Sequence, residues 1–301
     1  MHIGANFGKG PILVGTDFSA ASRVVVEYAA ELARIESKPL YLAHVMPVVP
    51  EDPAPLLDMQ EEELRLRVEK AAQTLSGSGI TVKGLFSVGS VAHNLVHIVD
   101  KLDAACIVVG TEGLRGFDRF LLGSVAETVI RKSNRPVIVV GPQAVQQGTE
   151  KTLPWKHLML ACNTAHGVTE AAHLAGNIAL SHHARLTVFN VKESGLRNLS
   201  EDEFAAMEQM MSPEAWRTVK PQCLIRAGDP AREIARMVED SRADLLVMSV
   251  QEGGEMLTHF RRGILAKVLR MSGCPVMILR DPPTAHNGAN RQMAGCHMTV
   301  A

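Results

Sequence analysis

The glycines of one segment in the first half of the chain have the spacing of a loop that holds a phosphate chain. Gly110 and Gly113 enclose Thr111, and nine residues separate Gly113 from Gly123 and Ser124, which begin a predicted helix. Glycine lets the backbone approach a ligand closely, and the amides at a helix start attract anions. This pattern favours an anion-binding loop that needs few basic side chains. The alternative is that the glycines serve only turns and that Ser124 only caps its helix.

A carboxylate follows the first predicted strand. Ile12–Gly15 is followed directly by Thr16 and Asp17. In an open parallel sheet, ligands bind beyond the carboxyl ends of the strands, where the winding direction reverses. Asp17 is therefore a candidate hydrogen-bond acceptor for a ligand, and it is nearly as well suited to an Asx turn or helix cap beside Ser19. The two roles are compatible.

Short β-rich runs alternate with amphipathic stretches around these residues. The predicted strands are Ile12–Gly15, Leu40–Val45, Ile80–Ser87, Cys106–Val109 and Val137–Val140. The predicted helices are Ala20–Ile35, Gln60–Leu75, Ala92–Leu102 and Ser124–Lys132. Continuous apolar strands suit a sheet that is covered on both faces, and the alternation favours right-handed parallel crossovers. We therefore predict an α/β fold with a five-stranded, doubly wound parallel sheet.

The same arrangement occurs twice in the chain. Segment 105–110 recurs at 244–249, which is 139 positions later, and segment 12–17 recurs at 158–163, which is 146 positions later. The second copy has therefore lost about seven residues between its first and third strands. The polar stretch Gly141–Lys156 between the copies is typical of a linker.

The repeat predicts two tandem domains, 1–148 and 149–284, and a disordered tail at 285–301. The last strand of each domain, Val137–Val140 or Val276–Leu279, lies at a sheet edge in this topology. An exposed apolar edge tends to find a partner, and the simplest partner is the other copy in the same chain. We expect an internal pseudo-dimer, and a further homodimer stays open.

The glycine pattern, taken together with Ile12–Asp17 and the pair His44-Val45, resembles the ATP-binding branch of the universal stress proteins. The resemblance covers nearly all of residues 8–141 and, more faintly, 155–280. It implies that each domain has an adenine nucleotide α-hydrolase-like fold with strand order 3-2-1-4-5. It also implies that the first domain binds ATP or ADP, with or without Mg²⁺.

The resemblance assigns a role to each matching residue of the first domain. Asp17, next to Thr16, would accept hydrogen bonds from the adenine edge or the nearby ribose, and Val45 would lie against the base. The other matching residues would surround the ribose and the phosphates: Gly110, Thr111, Gly113, Gly123, Ser124 and Val125.

The second copy departs from this pattern where the nucleotide would bind. Its residues at the matching positions are Asn163, Ser249, Glu252, Arg262 and Gly263. A Cβ atom at position 249 and a carboxylate at position 252 would crowd or repel a phosphate chain. We therefore expect that the second site has lost ATP, and another ligand there stays open.

Composition and charge argue against several other classes of protein. The 301 residues are 46% apolar and 21% charged, which suits two globular domains. A net charge of −1 and a pI near 6.9 disfavour nucleic acid and anionic membranes as partners. Five cysteines without C-x-x-C pairing predict reduced thiols, and no run reaches the ~18 apolar residues of a spanning helix, so we expect a cytoplasmic protein.

The remaining motifs of catalysis and metal binding are missing from the sequence. It has no G-x-x-x-x-G-K-[ST] motif, and its one early glycine cluster precedes a strand instead of following it. The twelve histidines lack a recognisable ligand spacing, so no metal site is predicted. No Ser-His-Asp, Cys-His or paired-carboxylate set occupies loop positions that the fold could unite.

Three functions agree with these residues. The first is a binding and signalling module in which nucleotide occupancy adjusts the surface between the domains, which an unknown partner protein recognises. The second is a slow ATPase or autophosphorylating enzyme in which Ser124 or Thr111 approaches the γ-phosphate. The third is a scaffold in which both pockets are vestigial.

Overall fold

The computed structural model describes residues 8–48, 54–77, 79–111, 122–148, 153–163, 170–193, 201–251 and 263–281. The strands are β1 (Ile12–Gly15), β2 (Leu40–Met46), β3 (Val82–Val88), β4 (Cys106–Gly110), β5 (Val137–Val140), β6 (His157–Cys162), β7 (Arg185–Lys192), β8 (Gln222–Ala227), β9 (Leu245–Gln251) and β10 (Val276–Asp281). The helices are α1 (Ala20–Ile35), α2 (Ala54–Ser76), α3 (Val91–Lys101), α4 (Ser124–Lys132), α5 (Pro142–Gln147), α6 (Glu170–His182), α7 (Glu201–Glu208), α8 (Pro213–Val219), α9 (Pro230–Ser241) and α10 (Ile264–Met271). The predicted strands and helices of the first half are all present, although α2 begins at Ala54 instead of Gln60. The predicted tail, 285–301, lies outside the described residues.

The ten strands form one sheet in the order β3-β2-β1-β4-β5-β10-β9-β6-β7-β8. Within each half, neighbouring strands are parallel, and the order 3-2-1-4-5 predicted for each domain is confirmed. The winding direction reverses at β1 in the first half and at β6 in the second. A crevice is expected at each of these two switch points, beyond the carboxyl end of the strand.

Apolar side chains form a layer on each face of the sheet. Along β4 they alternate, because successive residues of a strand point to opposite faces: Cys106 and Val108 belong to one layer, and Ile107 and Val109 belong to the other. Helices α1 and α6 cover the first layer, whereas α3, α4, α9 and α10 cover the second. Each layer contains residues from both halves, so each apolar layer continues from one domain into the other.

The internal repeat extends to the backbone conformation. Three turn positions with positive φ recur at the offsets of 146 and 139 residues that the sequence shows. These pairs are Ser37 and His183, Gly89 and Gly228, and Asp103 and Arg242. The hydroxyls of Ser133 and Ser272, 139 positions apart, each accept a backbone N–H from two residues further on. The second half therefore repeats the local geometry of the first even where side chains differ.

The two halves meet through the antiparallel pair of β5 and β10, as the sequence predicts. Ile138 lies opposite Met277, and these two residues are equivalent in the repeat, since they are 139 positions apart. A local two-fold axis therefore passes between them. The flanking pairs exchange equivalent residues about this axis: Val137 with Ile278, and Val139 with Val276.

The predicted linker is more structured than its polar composition suggests. It contains the short helix α5, and both Leu153 and Trp155 are buried against the first apolar layer. Trp155 is only 1% exposed, and its ring centroid lies 5.0 Å from that of His182. The linker therefore closes the core on one side of the junction between the halves.

The buried imidazole of His157 at the start of β6 is held in one neutral tautomer. Its Nδ1 lies 3.0 Å from the carbonyl oxygen of Ser241, which only accepts, so Nδ1 carries the proton. Its Nε2 lies 2.9 Å from the hydroxyl of Thr187 and accepts from it. Burial lowers the pKa of His157, and the nearby charge of Arg185 adds to this effect, while the Ser241 hydrogen bond opposes it.

We expect His157 to make folding pH-dependent. Because its folded-state pKa lies below the ordinary value of about 6.5, its contribution to stability is present above that value. This contribution is lost as the pH falls through the folded-state pKa. The free energy of unfolding, measured with urea between pH 7.5 and pH 5, should therefore fall less steeply in His157→Asn, which keeps a donor for Ser241. Parallel curves for the two proteins would contradict this assignment.

Candidate functional site

The loop after β1 is fixed by hydrogen bonds within the segment 16–22. The backbone N–H of Ser19 donates to Asp17 Oδ1 over 2.9 Å, which forms the Asx turn. The hydroxyl of Ser19 in turn accepts from the N–H of Ser22 over 3.1 Å and caps α1. Thr16 Oγ1 accepts from the N–H of Phe18 over 3.0 Å. The carboxylate of Asp17 is therefore held rigidly by only one of its two oxygens.

The second oxygen of Asp17 is the one buried carboxylate atom in this loop without a bonded partner. Among the described residues, no group donates a hydrogen bond to Asp17 Oδ2. Burial raises the pKa of this carboxyl, but hydrogen bonding, mainly from Ser19, outweighs this effect and holds the pKa below its usual value. Asp17 is therefore an ionised acceptor with a free oxygen, and a buried acceptor of this kind costs free energy unless a donor reaches it.

Phe18 adopts a backbone conformation that is rare for a bulky residue. Its φ is 61°, in the left-handed region. Two contacts hold its ring: the imidazole of His44, with centroids 4.9 Å apart, and the guanidinium of Arg67, whose Cζ lies 4.4 Å from the ring centroid. His44 Nδ1 donates to the carbonyl oxygen of Thr16 over 2.8 Å. The strained turn that presents Asp17 is therefore supported by β2 and α2.

Val45 lies on the strand next to this turn. The backbone N–H of Thr16 donates to the carbonyl oxygen of Ala43, two residues before Val45 on β2. Val45 is 5% exposed and belongs to the second apolar layer, whereas His44 points to the opposite face. Val45 near the end of β2 and Asp17 just after β1 therefore lie at the same edge of the sheet.

The end of β4 and the start of α4 are joined by a backbone hydrogen bond. The N–H of Gly123 donates to the carbonyl oxygen of Thr111 over 2.9 Å. A Cβ atom on Gly123 would lie 2.7 Å from that oxygen, so only glycine allows this approach without movement. Gly110 is the last residue of β4, and β4 pairs directly with β1. This contact therefore places the helix start next to the strand that precedes Asp17.

Gly123, and not Ser124, is the N-cap residue of α4. The sequence left open that Ser124 caps its helix, but Ser124 is the first helical residue and its side chain is exposed. Because a glycine cap has no side chain to accept from the first-turn amides, the N–H groups from Ser124 and Val125 onward are not capped in that way. A helix start of this kind favours an anion.

Eight of the nine residues singled out from the sequence can thus be placed. Thr16 and Asp17 follow β1, Val45 lies on β2, and the others lie at the end of β4 or the start of α4: Gly110, Thr111, Gly123, Ser124 and Val125. Gly113 falls outside the described residues. The placed residues share the carboxyl edge of three adjacent strands, β2, β1 and β4.

The second half lacks several of these features. Asn163 replaces Asp17 and is exposed. Strand β9 continues through Ser249 to Gln251, pairing with β10, whereas β4 ends at the equivalent Gly110. The backbone of the second half therefore stays in the sheet for two residues beyond the position at which β4 ends in the first half. One feature is retained: Gly263 is the N-cap of α10, so the second helix begins one residue later than the repeat offset predicts.

Three contributors to the site were missed in the sequence. The rings of Phe18 and Phe86 lie on either side of the His44 contact network, and Arg67 packs on the ring of Phe18. These contacts depend on the pairing of His44 with Phe86 across β2 and β3 and on the packing of α2. A left-handed Phe between Asp17 and Ser19 leaves no signal in composition or periodicity. Only a correct register of β2 against β3 could have indicated this cluster.

Other classes of site find little support in the part of the chain that the structure describes. Burial raises the pKa of Cys106, Cys162 and Cys274 to about 12, so these thiols are poor nucleophiles. Within the described ranges, no group of three or more His, Cys, Asp or Glu side chains is arranged to hold a metal ion. Over the same ranges, no helix has the length and apolar character needed to span a membrane.

Comparison with known proteins agrees with the duplicated fold. A crystal structure of a universal stress protein from Archaeoglobus fulgidus superimposes with a TM-score of 0.72 and 20% identity, covering 91% of this chain and 97% of its own. A universal stress protein of Mycolicibacterium smegmatis is 26% identical over 292 residues, which cover 89% of this chain and 96% of that protein. Another, from Methanocaldococcus jannaschii, is 30% identical over 136 residues, 43% of this chain and 80% of that protein.

The duplication is also visible at the level of the family. The model of the universal stress protein family matches residues 10–141 and, separately, residues 154–280. Together these two matches account for most of the chain, and each contains one complete five-stranded unit of the sheet. The chain therefore belongs to the universal stress protein family, as a member with two tandem domains.

Proposed function

We propose that the first domain, residues 1–148, binds an adenine nucleotide, ATP or ADP, with or without Mg²⁺, and that the protein acts as a nucleotide-dependent binding module in a stress response. The second domain, residues 149–284, contributes structure and has lost the nucleotide. The observation that carries this proposal is the buried, unpartnered Oδ2 atom of Asp17 at the switch point of the sheet.

The base end of the proposed site matches adenine in its chemistry. The adenine edge offers an exocyclic amino group, which donates hydrogen bonds, and Asp17 Oδ2 is an ionised acceptor without a donor among the described residues. In the proposed complex, the apolar side chain of Val45 on the adjacent strand would lie against the face of the base. Burying the ligand here would satisfy an acceptor that otherwise costs free energy.

Backbone groups would hold the phosphates of the nucleotide. Gly110 and Thr111 end β4, and Gly123 brings the start of α4 against them. The uncapped amides that begin with Ser124 and Val125 favour negative charge at this helix start. No lysine or arginine of the P-loop type is required, which agrees with the lack of that motif in the sequence.

Helix α1 connects the proposed site to the junction between the domains. It begins at the Ser19 cap, which is bonded to Asp17, and its 16 residues span about 24 Å. The side chain of its C-cap residue, Glu36, is hydrogen-bonded to His182 of the second domain. A ligand that hydrogen-bonds to Asp17 would therefore act on the first turn of α1, and the last turn of this helix lies at the interface between the domains. This supports the hypothesis that occupancy adjusts the surface between the domains.

Replacing Asp17 by Asn isolates the acceptor role of Oδ2. The amide oxygen of Asn can still accept from Ser19, but its NH₂ group would face the adenine amino group, so donor would meet donor. The dissociation constant for ATP should rise roughly 10- to 100-fold, as expected for loss of a hydrogen bond to a charged group. Isothermal titration calorimetry measures this change, and the melting temperature should stay near that of the parent protein.

The second domain provides the matched control. Asn163→Asp restores a carboxylate at the equivalent position, where β9 does not turn away from the sheet. This variant should bind ATP with the parent stoichiometry and affinity. If Asp17→Asn binds as tightly as the parent protein, the proposed base contact is wrong.

Replacing Gly123 by Ala tests the phosphate end. Its φ of −60° and ψ of 141° are open to alanine, so the effect is steric: the new Cβ would lie 2.7 Å from the carbonyl oxygen of Thr111. The start of α4 must move, and we expect a loss of about 1–3 kcal/mol in unfolding free energy and weaker binding of ATP than of adenosine. Ser124→Ala, at an exposed position, is the control and should change stability by less than about 0.5 kcal/mol. Equal ATP affinity and stability in Gly123→Ala and the parent would contradict this geometry.

The nucleotide retained by the purified protein distinguishes the three functions left open by the sequence. Heat denaturation and extraction should release ATP or ADP in amounts approaching one per chain, and Asp17→Asn should release much less. A purified protein that neither retains nor binds adenine nucleotide supports the scaffold. Conversion of added ATP to bound ADP, or a labelled phosphate on Ser124 or Thr111, supports the enzyme.

A further inference from the structure

A buried hydrogen bond between two polar side chains joins the two domains beside their apolar layers. His182 Nε2 at the end of α6 lies 2.7 Å from Glu36 Oε1 at the C-cap of α1. Their side chains are 8% and 5% exposed, and the ring of Trp155 packs against the imidazole. A buried carboxylate of this kind requires a hydrogen-bond donor opposite it.

Glu36 and His182 are the same position of the repeat. They are 146 residues apart, which is the offset that relates β1 to β6 and that also relates the turn residues Ser37 and His183, which follow them directly. The local two-fold axis that passes between Ile138 and Met277 therefore relates Glu36 to His182 as well. Two positions that the axis relates to each other are therefore occupied by different residue types, a carboxylate and an imidazole.

The strands at the junction do not discriminate between the halves. β5 has the sequence VIVV and β10 begins with VMIL, and both strands are apolar and buried at this contact. Two copies of β5 from different chains would pair about the same axis with similar packing. In such a pairing Glu36 would meet Glu36, and two buried carboxylates would share no donor. Pairing of two second domains would bring His182 against His182.

We propose that the Glu36–His182 pair is the specificity determinant of the domain junction, which makes the first domain select a second domain instead of the first domain of another copy. The covalent linker already favours pairing within one chain, through an effective concentration of the order of millimolar, and the Glu36–His182 pair adds to this selection in a concentrated or refolding population. The exchanged pairing joins separate chains, and the mismatch at this position disfavours it. This inference is independent of nucleotide binding.

The test uses two full-length chains whose internal pairs are mismatched. His182→Glu has a carboxylate on both sides of its junction, and Glu36→His has an imidazole on both sides. When the two chains are mixed, the two first domains can pair with each other, and so can the two second domains. The first pairing joins Glu36 of one chain to the new histidine of the other, and the second joins the new glutamate to His182. Both chains also carry Ile138→Cys, because position 138 would lie opposite itself only in the exchanged pairing, and Cys296→Ser, which removes a thiol outside the described residues.

The chains are refolded together from denaturant in a glutathione buffer at about 100 μM, with one chain carrying a mass tag. We expect a disulfide-linked dimer between the two different chains, in more than about tenfold excess over the linked dimers of either chain alone. Two controls carry matched pairs inside one chain: the parent with Ile138→Cys, and the swapped chain Glu36→His/His182→Glu with Ile138→Cys. Both should stay free of linked dimer. Ile138→Cys/Met277→Cys should form its disulfide within one chain, which checks that opposed cysteines are close enough to bond.

Each other outcome overturns the proposal. Linked dimers between different chains that are no more abundant than those of one chain alone show that the pair does not select the partner. Linked dimers of the parent chain show that the native pair does not exclude exchange. If neither mismatched chain folds alone, circular dichroism of the mixture decides, since matched pairs should restore folding and continued failure contradicts the role assigned to them.

Discussion

The antiparallel contact between β5 and β10 removes two apolar sheet edges at once. Each half of the chain is a parallel sheet whose last strand, Val137–Val140 or Val276–Asp281, is buried on both faces and would otherwise present unpaired backbone groups. Joining these edges produces one ten-stranded sheet and two apolar layers that run through both domains. The remaining features, including the buried linker tryptophan and the Glu36–His182 pair, depend on this junction.

The candidate site contains several features that lower the stability of the fold. A strained Phe18, a carboxylate with one free oxygen and a helix start without a side-chain cap each cost stability, and all of them lie around the switch point of the first sheet. Local costs of this kind persist only where the surrounding structure supports them, and they cluster at functional sites. In the second half, Asn163 is exposed and β9 continues in the sheet, so fewer of these costs are present. The difference between the halves supports one working site in a duplicated scaffold.

The sequence predicted the fold closely because two independent signals agreed. Strand and helix patterns located the elements of the first half, and the internal repeat located them again in the second. The edge argument correctly paired β5 with β10. What the sequence could not provide is side-chain contact across elements: the stack of Phe18 on His44, the Gly123 contact with Thr111, and the burial of Trp155 in a stretch that looks like a polar linker. These depend on register and packing, which periodicity does not determine. The domain boundaries and the roles of the individual site residues stay predictions.

The polarity of the junction has a geometrical consequence for recognition. All five strands of the first half point one way across the sheet, and all five of the second half point the other way, because only β5 and β10 are antiparallel. The carboxyl ends of β1 and β6, where a crevice is expected, therefore lie at opposite edges of the sheet. One small molecule cannot contact both edges, and a protein that binds over Asp17 leaves Asn163 uncovered. Substitutions around Asn163 therefore need not change the binding of a ligand or protein at Asp17.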